Sequence, residues 1–111
     1  MDLISEIQRD LKLMQQAVEE SKIRGIKLAE AERDYQIAKH TRALEMKAGG
    51  EPVTFIQMAL KGDPSVRDAL YARDCAQAEY DSAKEAINVY KLSARLLENQ
   101  RQSEWNTAGG L

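Results

Sequence analysis

The sequence has few of the residues that interrupt helices and none of the patterns that build disulfides. Its 111 residues include 2 prolines, 6 glycines, 1 cysteine and 1 histidine, and only 5% are aromatic. A single cysteine excludes an intrachain disulfide and a cysteine-based zinc site, and it fits a reducing compartment. A compact α/β enzyme would need more glycine-rich loops and more β-branched runs. The abundant residues are helix formers, a composition typical of coiled coils and helical hairpins.

A strong net charge and long apolar runs are also missing. The 16 basic and 18 acidic residues are interspersed and give a net charge of -2. This balance does not favour a nucleic-acid binder, although nucleic acid stays a possible partner. No apolar run approaches the roughly 18–20 residues of a membrane span, and the opening MDLISEIQRDLK lacks the apolar core of a signal peptide. We therefore expect a cytoplasmic protein with no membrane partner.

Glycine and proline divide the chain into two long helices and a short one. The predicted helices cover about 2–48, 54–61 and 64–105, and a polar tail follows over 106–111. The fold class predicted for the single domain 1–111 is all-α. We expect a long antiparallel helical hairpin, coiled-coil-like, with the short helix at its tip.

Four residues near the tip carry capping signals. Thr54 and Gln57 match a capping box for the short helix. Gly62 fits the left-handed position after that helix, and Asp63 fits the N-cap of the last one. These signals predict where the tip helix begins and ends.

Apolar residues in the first long helix follow the three-four spacing of a helix packed along a partner. The series begins with Ile4, Ile7, Leu11, Met14 and Val18. It loses phase near Gly25, the only glycine between residues 2 and 48. The phase break predicts a kink or a close backbone approach at Gly25.

The last helix carries a longer seam in which alanines alternate with larger residues. We interpret part of it as an oligomer seam formed by Tyr80, Ala83, Ile87, Tyr90, Ala94 and Leu97. A second apolar set runs beside it, formed by Ala78, Val89, Leu92 and Leu96. Two adjacent seams are too wide for one partner helix, and a two-helix hairpin alone buries little surface. We therefore expect a homo-oligomer, a dimer or larger.

Catalysis and metal binding find little support in the sequence. His40 and Cys75 are expected at similar heights on the two long helices, which would allow a Cys–His pair. No third orienting residue and no glycine-rich oxyanion turn accompany them. His40 also lacks the Glu-x-x-His spacing of a helical di-metal site. We predict a protein that is not an enzyme and that has no cofactor and no metal.

Basic residues offer one candidate site. Residues 22–27 are expected opposite residues 86–91 in the hairpin, which would gather several cations and a tyrosine at one height. The predicted site for a small anion, such as a nucleotide, comprises Lys22, Arg24, Lys27, Tyr90, Lys91 and Arg95. The alternative is that these are ordinary solvated positions balanced by nearby glutamates.

The tip helix offers another candidate site. Its apolar residues are too many for a hairpin tip to bury, so they either fold back onto the hairpin or dock into a partner. The predicted partner-binding residues are Val53, Phe55, Ile56, Met58 and Leu60. Glycines on both sides of the segment would let it reorient.

Several segments together resemble a group of small helical proteins of phages and prophages of Gram-positive bacteria. They are Gly50-Glu51-Pro52-Val53-Thr54-Phe55-Ile56, Lys61-Gly62-Asp63, Tyr80 with Ala83-Lys84-Glu85-Ala86-Ile87-Asn88-Val89 and Lys91, and Glu104-Trp105. The resemblance covers most of the chain and brings no catalytic motif. It implies a viral accessory protein made in the cytoplasm of a bacterial host.

The leading functional hypothesis is a non-enzymatic inhibitor of a host defence factor. It would act stoichiometrically, either by masking a host protein or by sequestering a small anionic nucleotide signal. One alternative is an accessory factor for phage recombination or replication that binds single-stranded DNA or a recombination protein. Another is a structural coiled-coil component. The sequence does not choose among the three.

Overall fold

The computed structural model describes residues 2–109, which form three α-helices and no strand. These are α1 (Leu3–Ala48), α2 (Val53–Leu60) and α3 (Pro64–Gly109). The predicted all-helical character is confirmed. The sequence predicts a tail from residue 106, but α3 continues to Gly109, and residues 110–111 lie outside the described residues. Within residues 2–109, no helix has a stretch apolar enough to cross a bilayer.

The end of α1 follows the glycine stop signal. The Glu51 amide donates to the Met46 carbonyl at 3.2 Å, and the Gly50 amide donates to the Lys47 carbonyl at 3.0 Å. Gly50 has a φ of +84°, as the left-handed residue of this Schellman-type cap requires. The left-handed position that the sequence predicts at Gly62, after α2, is wrong, because Gly50 is the one residue between 2 and 109 with a positive φ.

The start of α2 also differs from its predicted cap. The helix begins at Val53, so Pro52 is the N-cap residue and no side chain caps the first turn. The predicted capping box of Thr54 and Gln57 is therefore wrong. Proline is suited to a helix start because its fixed φ is compatible with helix entry and it has no amide hydrogen to satisfy.

Asp63 caps α3 as predicted. Its carboxylate accepts hydrogen bonds from the Val66 amide at 3.3 Å and from Arg42 Nε at 2.8 Å, and a third from the Ser65 hydroxyl. The Ser65 hydroxyl and then the Arg42 guanidinium hold the pKa of Asp63 below its ordinary value, because both stabilise the ionised carboxylate. The same contacts tie the start of α3 to α1.

Contacts divide the chain into two compact units. Unit 1 comprises Met1–Ile23 and Asp81–Leu111, and unit 2 comprises Arg24–Tyr80. Each unit pairs a segment of α1 with a segment of α3, and unit 2 also contains α2.

Unit 2 holds a small apolar cluster at its closed end, where α2 connects α1 to α3. Ile56, Leu60 and Val66 are 5–8% exposed. The partly buried side chains that pack against them come from α1 and are Tyr35, Ala43 and Met46. The inward face of α2 is therefore folded back onto α1 and α3.

Three long-range contacts define the antiparallel register in unit 2. Arg42 bonds Asp63, and Arg73 Nη1 bonds Glu32 Oε2 at 3.2 Å. At Gly25, an added Cβ would lie 3.4 Å from Cε1 of the Tyr80 ring. The close approach predicted at Gly25 is thus made by an aromatic side chain, not by a backbone.

Unit 1 buries an aspartate where the sequence pattern predicts leucine. Asp10 is 5% exposed, and its carboxylate accepts a hydrogen bond from the Ser93 hydroxyl. Leu11 and Ile4 are 46% and 57% exposed, so their predicted place on the inner seam is wrong. The less exposed residues keep the three-four spacing through Leu3, Ile7, Asp10, Met14, Ala17 and Ser21. A polar residue in such a seam favours one register over others.

Candidate interaction surfaces

Exposed apolar side chains greatly outnumber buried ones. Among the described residues, four hydrophobic side chains are buried, namely Ile56, Leu60, Val66 and Ala83. Fourteen large hydrophobic side chains are exposed. Scattered apolar residues are normal on a surface, but exposed sets that share one helix face indicate contact with something else.

The tip helix α2 divides its apolar residues between two faces. Ile56 and Leu60 are buried within unit 2, so the structure removes them from the predicted partner-binding set. Val53, Phe55 and Met58 are 65%, 47% and 70% exposed. One face of α2 is therefore folded back, and docking stays a prediction for the exposed face.

The predicted oligomer seam of α3 lies among the less exposed residues of that helix. Ala83 is 4% exposed, and the other members, Tyr80, Ile87, Tyr90, Ala94 and Leu97, are half-buried. The second apolar set is open instead: Val89, Leu92 and Leu96 are 53–58% exposed. An oligomer contact on α3 would have to use the second set.

The predicted basic site depends on a register that the structure does not have. In unit 2, Arg24 donates to the Glu79 carbonyl at 2.9 Å, so its neighbour on α3 comes seven residues before residue 86. In unit 1, Ser93, which lies between Lys91 and Arg95, meets Asp10. Lys22 lies about 18 Å farther along α1 than Asp10.

The register prediction is therefore wrong, and the six proposed ligand residues lose the common height that grouped them. Lys22 instead pairs with Glu19 at 3.3 Å on the surface of α1. Lys27, Lys91 and Arg95 are exposed, and Tyr90 is half-buried.

The register also separates the single histidine from the single cysteine. His40 is close in sequence to Arg42, which meets Asp63, whereas Cys75 is close to Arg73, which meets Glu32. These contacts place His40 and Cys75 about 15 Å apart along the helices.

A hydrogen bond with the exposed Cys75 raises the pKa of Tyr71. In the described part of the chain, no three His, Cys, Asp or Glu side chains are grouped so that they could hold a metal ion.

One groove of unit 2 has a consistent chemical character. It encloses about 650 Å³ beside the closed end and is lined by cations at Lys39, Lys61 and Arg67. Its apolar lining comes from Leu60, Val66 and Leu70, and it is completed by Tyr35 and Gln57. None of these eight residues is acidic. We call it the basic groove.

Local contacts hold the rim of the basic groove. Lys39 Nζ lies 5.8 Å from the centre of the Tyr35 ring, and the Arg73 guanidinium lies 5.4 Å from it. Arg67 Nη1 donates to the Lys61 carbonyl at 3.0 Å, which links the first turns of α3 to the end of α2. The basic groove was not predicted from the sequence, because its residues come from three helices. The only signal was the recurrence of Lys and Arg around the tip.

Two other grooves show no such bias. One, of about 390 Å³ in unit 2, is lined by Asp34, Arg42, Glu45 and neutral residues. The other, of about 250 Å³ in unit 1, includes Glu98 and Arg101, which pair with each other. Charges of both signs in each lining make neither groove selective for a charged ligand.

Comparisons with known proteins return no match among family models, curated proteins or solved structures. The resemblance to phage proteins, and the viral setting it implies, therefore stay predictions.

Proposed function

We propose that this chain is a non-enzymatic binding protein whose basic groove holds an acidic, amphipathic segment of a partner protein. The proposal is supported by the lining of the groove, which has three cations, three aliphatic side chains and no carboxylate. A segment with apolar residues on one side and Asp or Glu beside them complements both parts of that lining.

The size of the groove supports a peptide segment. A volume of about 650 Å³ lies within the roughly 300–1,000 Å³ range of ligand sites, and the groove is partly open to solvent. Aliphatic contacts would supply much of the affinity, and the cations at its rim would favour acidic partners. A small nucleotide would use the cations but would leave much of the aliphatic lining uncovered.

The proposed mode of action is binding without turnover. Cations and aliphatic side chains, which form most of the groove lining, are suited to holding a segment of a partner protein. In the viral setting that the resemblance implies, the partner is a protein of the bacterial host, and the chain acts stoichiometrically by covering part of it.

Affinity capture from a Gram-positive bacterial lysate tests this proposal. The tagged wild-type chain is compared with Lys61→Glu/Arg67→Glu, which reverses two exposed groove cations. The matched control, Arg9→Glu/Lys12→Glu, makes the same charge change on an exposed part of α1 in unit 1. Circular dichroism checks that both variants keep the wild-type helix content.

We expect one protein to be enriched by the wild type and by the control, and lost with the groove variant. Cross-linking and mass spectrometry should then map the contact to an acidic, amphipathic segment of that protein, at about one copy per chain. Equal capture by the groove variant would refute the site. Release of a small anion in place of a protein would refute the proposed ligand class.

A further inference from the structure

The outward face of α1 in unit 2 carries exposed isoleucines on both sides of two charges. Ile26 and Ile37 are 61% and 56% exposed, and Glu30 and Arg33 between them are also exposed. The spacing of four, three and four residues places all of them on one side of the helix. We call these four residues the outward α1 face.

We infer that a second copy of this chain covers the outward α1 face, with the two α1 helices antiparallel. This contact is separate from the basic groove and does not depend on it. We assign a second copy as the partner because the face is complementary to itself under a two-fold rotation, as an isologous interface requires.

The complementarity is visible in the order of the residues. The pair Ile26 and Ile37 and the pair Glu30 and Arg33 are both centred between residues 31 and 32. In an antiparallel pair about that centre, Ile26 lies opposite Ile37 of the partner subunit. Glu30 likewise lies opposite Arg33 of the partner subunit. Each contact occurs twice, so the face forms two isoleucine layers outside two ion-pair layers.

A second charge pair on one flank of the face agrees with this arrangement. The same rotation places Lys27 within about 3 Å of the height of Asp34 of the partner subunit, on the same flank of the contact. Within one chain, Asp34 pairs with the adjacent Arg33 at 3.2 Å, and both side chains are more than 60% exposed. Such a surface pair contributes little, so partner contacts can replace it. A parallel pair would instead set each charge against its own kind.

Charge reversal tests the pairing, with sedimentation equilibrium as the measurement. Glu30→Arg and Arg33→Glu each create two like-charge contacts in the antiparallel dimer. Each should raise the dimer dissociation constant about tenfold or more. The double variant Glu30→Arg/Arg33→Glu restores opposite charges and should return the constant towards the wild-type value.

Three results would overturn the inference. They are a wild-type chain that stays monomeric up to about 100 µM, single variants that dimerise as tightly as the wild type, and a double variant no better than the singles. The groove variant Lys61→Glu/Arg67→Glu should remain dimeric, which keeps this test separate from that of the proposed function.

Disulfide trapping tests the orientation in a Cys75→Ser background. Ile26→Cys and Ile37→Cys chains are mixed, oxidised and analysed by mass spectrometry. An antiparallel dimer should give a mixed disulfide between positions 26 and 37, since two copies of position 26 would lie about 16 Å apart, beyond disulfide reach. A predominant disulfide between two copies of position 26 would refute the antiparallel arrangement.

Discussion

Replacing Gly25 with alanine should stabilise the protein, although the glycine lies against an aromatic ring. Gly25 is inside α1 and does not have a positive φ, so alanine can adopt its backbone conformation. A Cβ at this position would lie 3.4 Å from Cε1, 3.8 Å from Cδ1 and 3.9 Å from Cζ of Tyr80. These are van der Waals contacts, and none is so short that the ring must move.

The expected gain combines two effects of the same sign. Alanine in place of a helical glycine contributes about 1 kcal/mol, because the unfolded chain has less conformational freedom to lose. Three added contacts contribute about 0.1–0.2 kcal/mol each. A total of about 1.3–1.6 kcal/mol would raise Tm by about 5–13 °C, since 1 kcal/mol corresponds to about 4–8 °C in a domain near this size.

The measurement is urea unfolding at 25 °C followed by circular dichroism, with protein concentration held constant because a dimer would link stability to concentration. The midpoint should rise while the slope stays unchanged. Gly25→Leu should instead destabilise by about 1–3 kcal/mol, because its larger side chain collides with the ring. Removing the ring in Gly25→Leu/Tyr80→Ala should recover most of that loss. An unchanged or lower midpoint for Gly25→Ala would show that the ring does not tolerate a Cβ.

Further predictions concern the closed end of unit 2. Leu60→Ala should lower the free energy of unfolding by about 2–3 kcal/mol, because Leu60 is 8% exposed. Met58→Ala, at a 70% exposed position on the same helix, should change it by no more than about 0.5 kcal/mol. Equal effects of the two variants in urea unfolding would contradict the described packing of α2. Gly50→Ala should cost about 1 kcal/mol, since its φ of +84° disfavours a side chain even where nothing lies nearby, and a neutral result would argue against that cap. The lowered pKa of Asp63 means that its contribution to stability is present above the pKa of the unfolded chain and is lost as pH falls through the lower pKa of the folded state. Below about pH 4, wild-type stability should therefore fall more steeply than that of Asp63→Asn, which keeps a capping side chain without the charge; parallel pH profiles would refute this linkage.

Features that depend on neighbouring residues could be predicted from the sequence. The stop at Gly49 and Gly50 and the cap at Asp63 involve hydrogen bonds that span only a few residues. The α2 cap shows the limit of such signals. Thr54 and Gln57 fit a capping box, yet the helix starts one residue earlier, where Pro52 already provides the required conformation.

The candidate surfaces depended on register, which the sequence pattern does not contain. A shift of a few residues leaves the three-four spacing of either helix unchanged, so 22–27 could be set against several segments of α3. The observed register places polar side chains together at Arg42 and Asp63, at Glu32 and Arg73, and at Asp10 and Ser93. The predicted basic site failed for this reason, and the basic groove could be found only after three helices were placed.

The scarcity of proline, glycine and aromatic residues by itself determined an all-helical chain with breaks near residues 50 and 62, because helix hydrogen bonds join residues four apart. The tertiary structure decided which side chains meet, through hydrogen bonds between residues that are separated by 21, 41 and 83 positions in the sequence. It also divided the apolar residues of α2 into a buried and an exposed set. Those choices depend on the free energy of packing and polar pairing between distant segments, which the spacing within one helix does not specify.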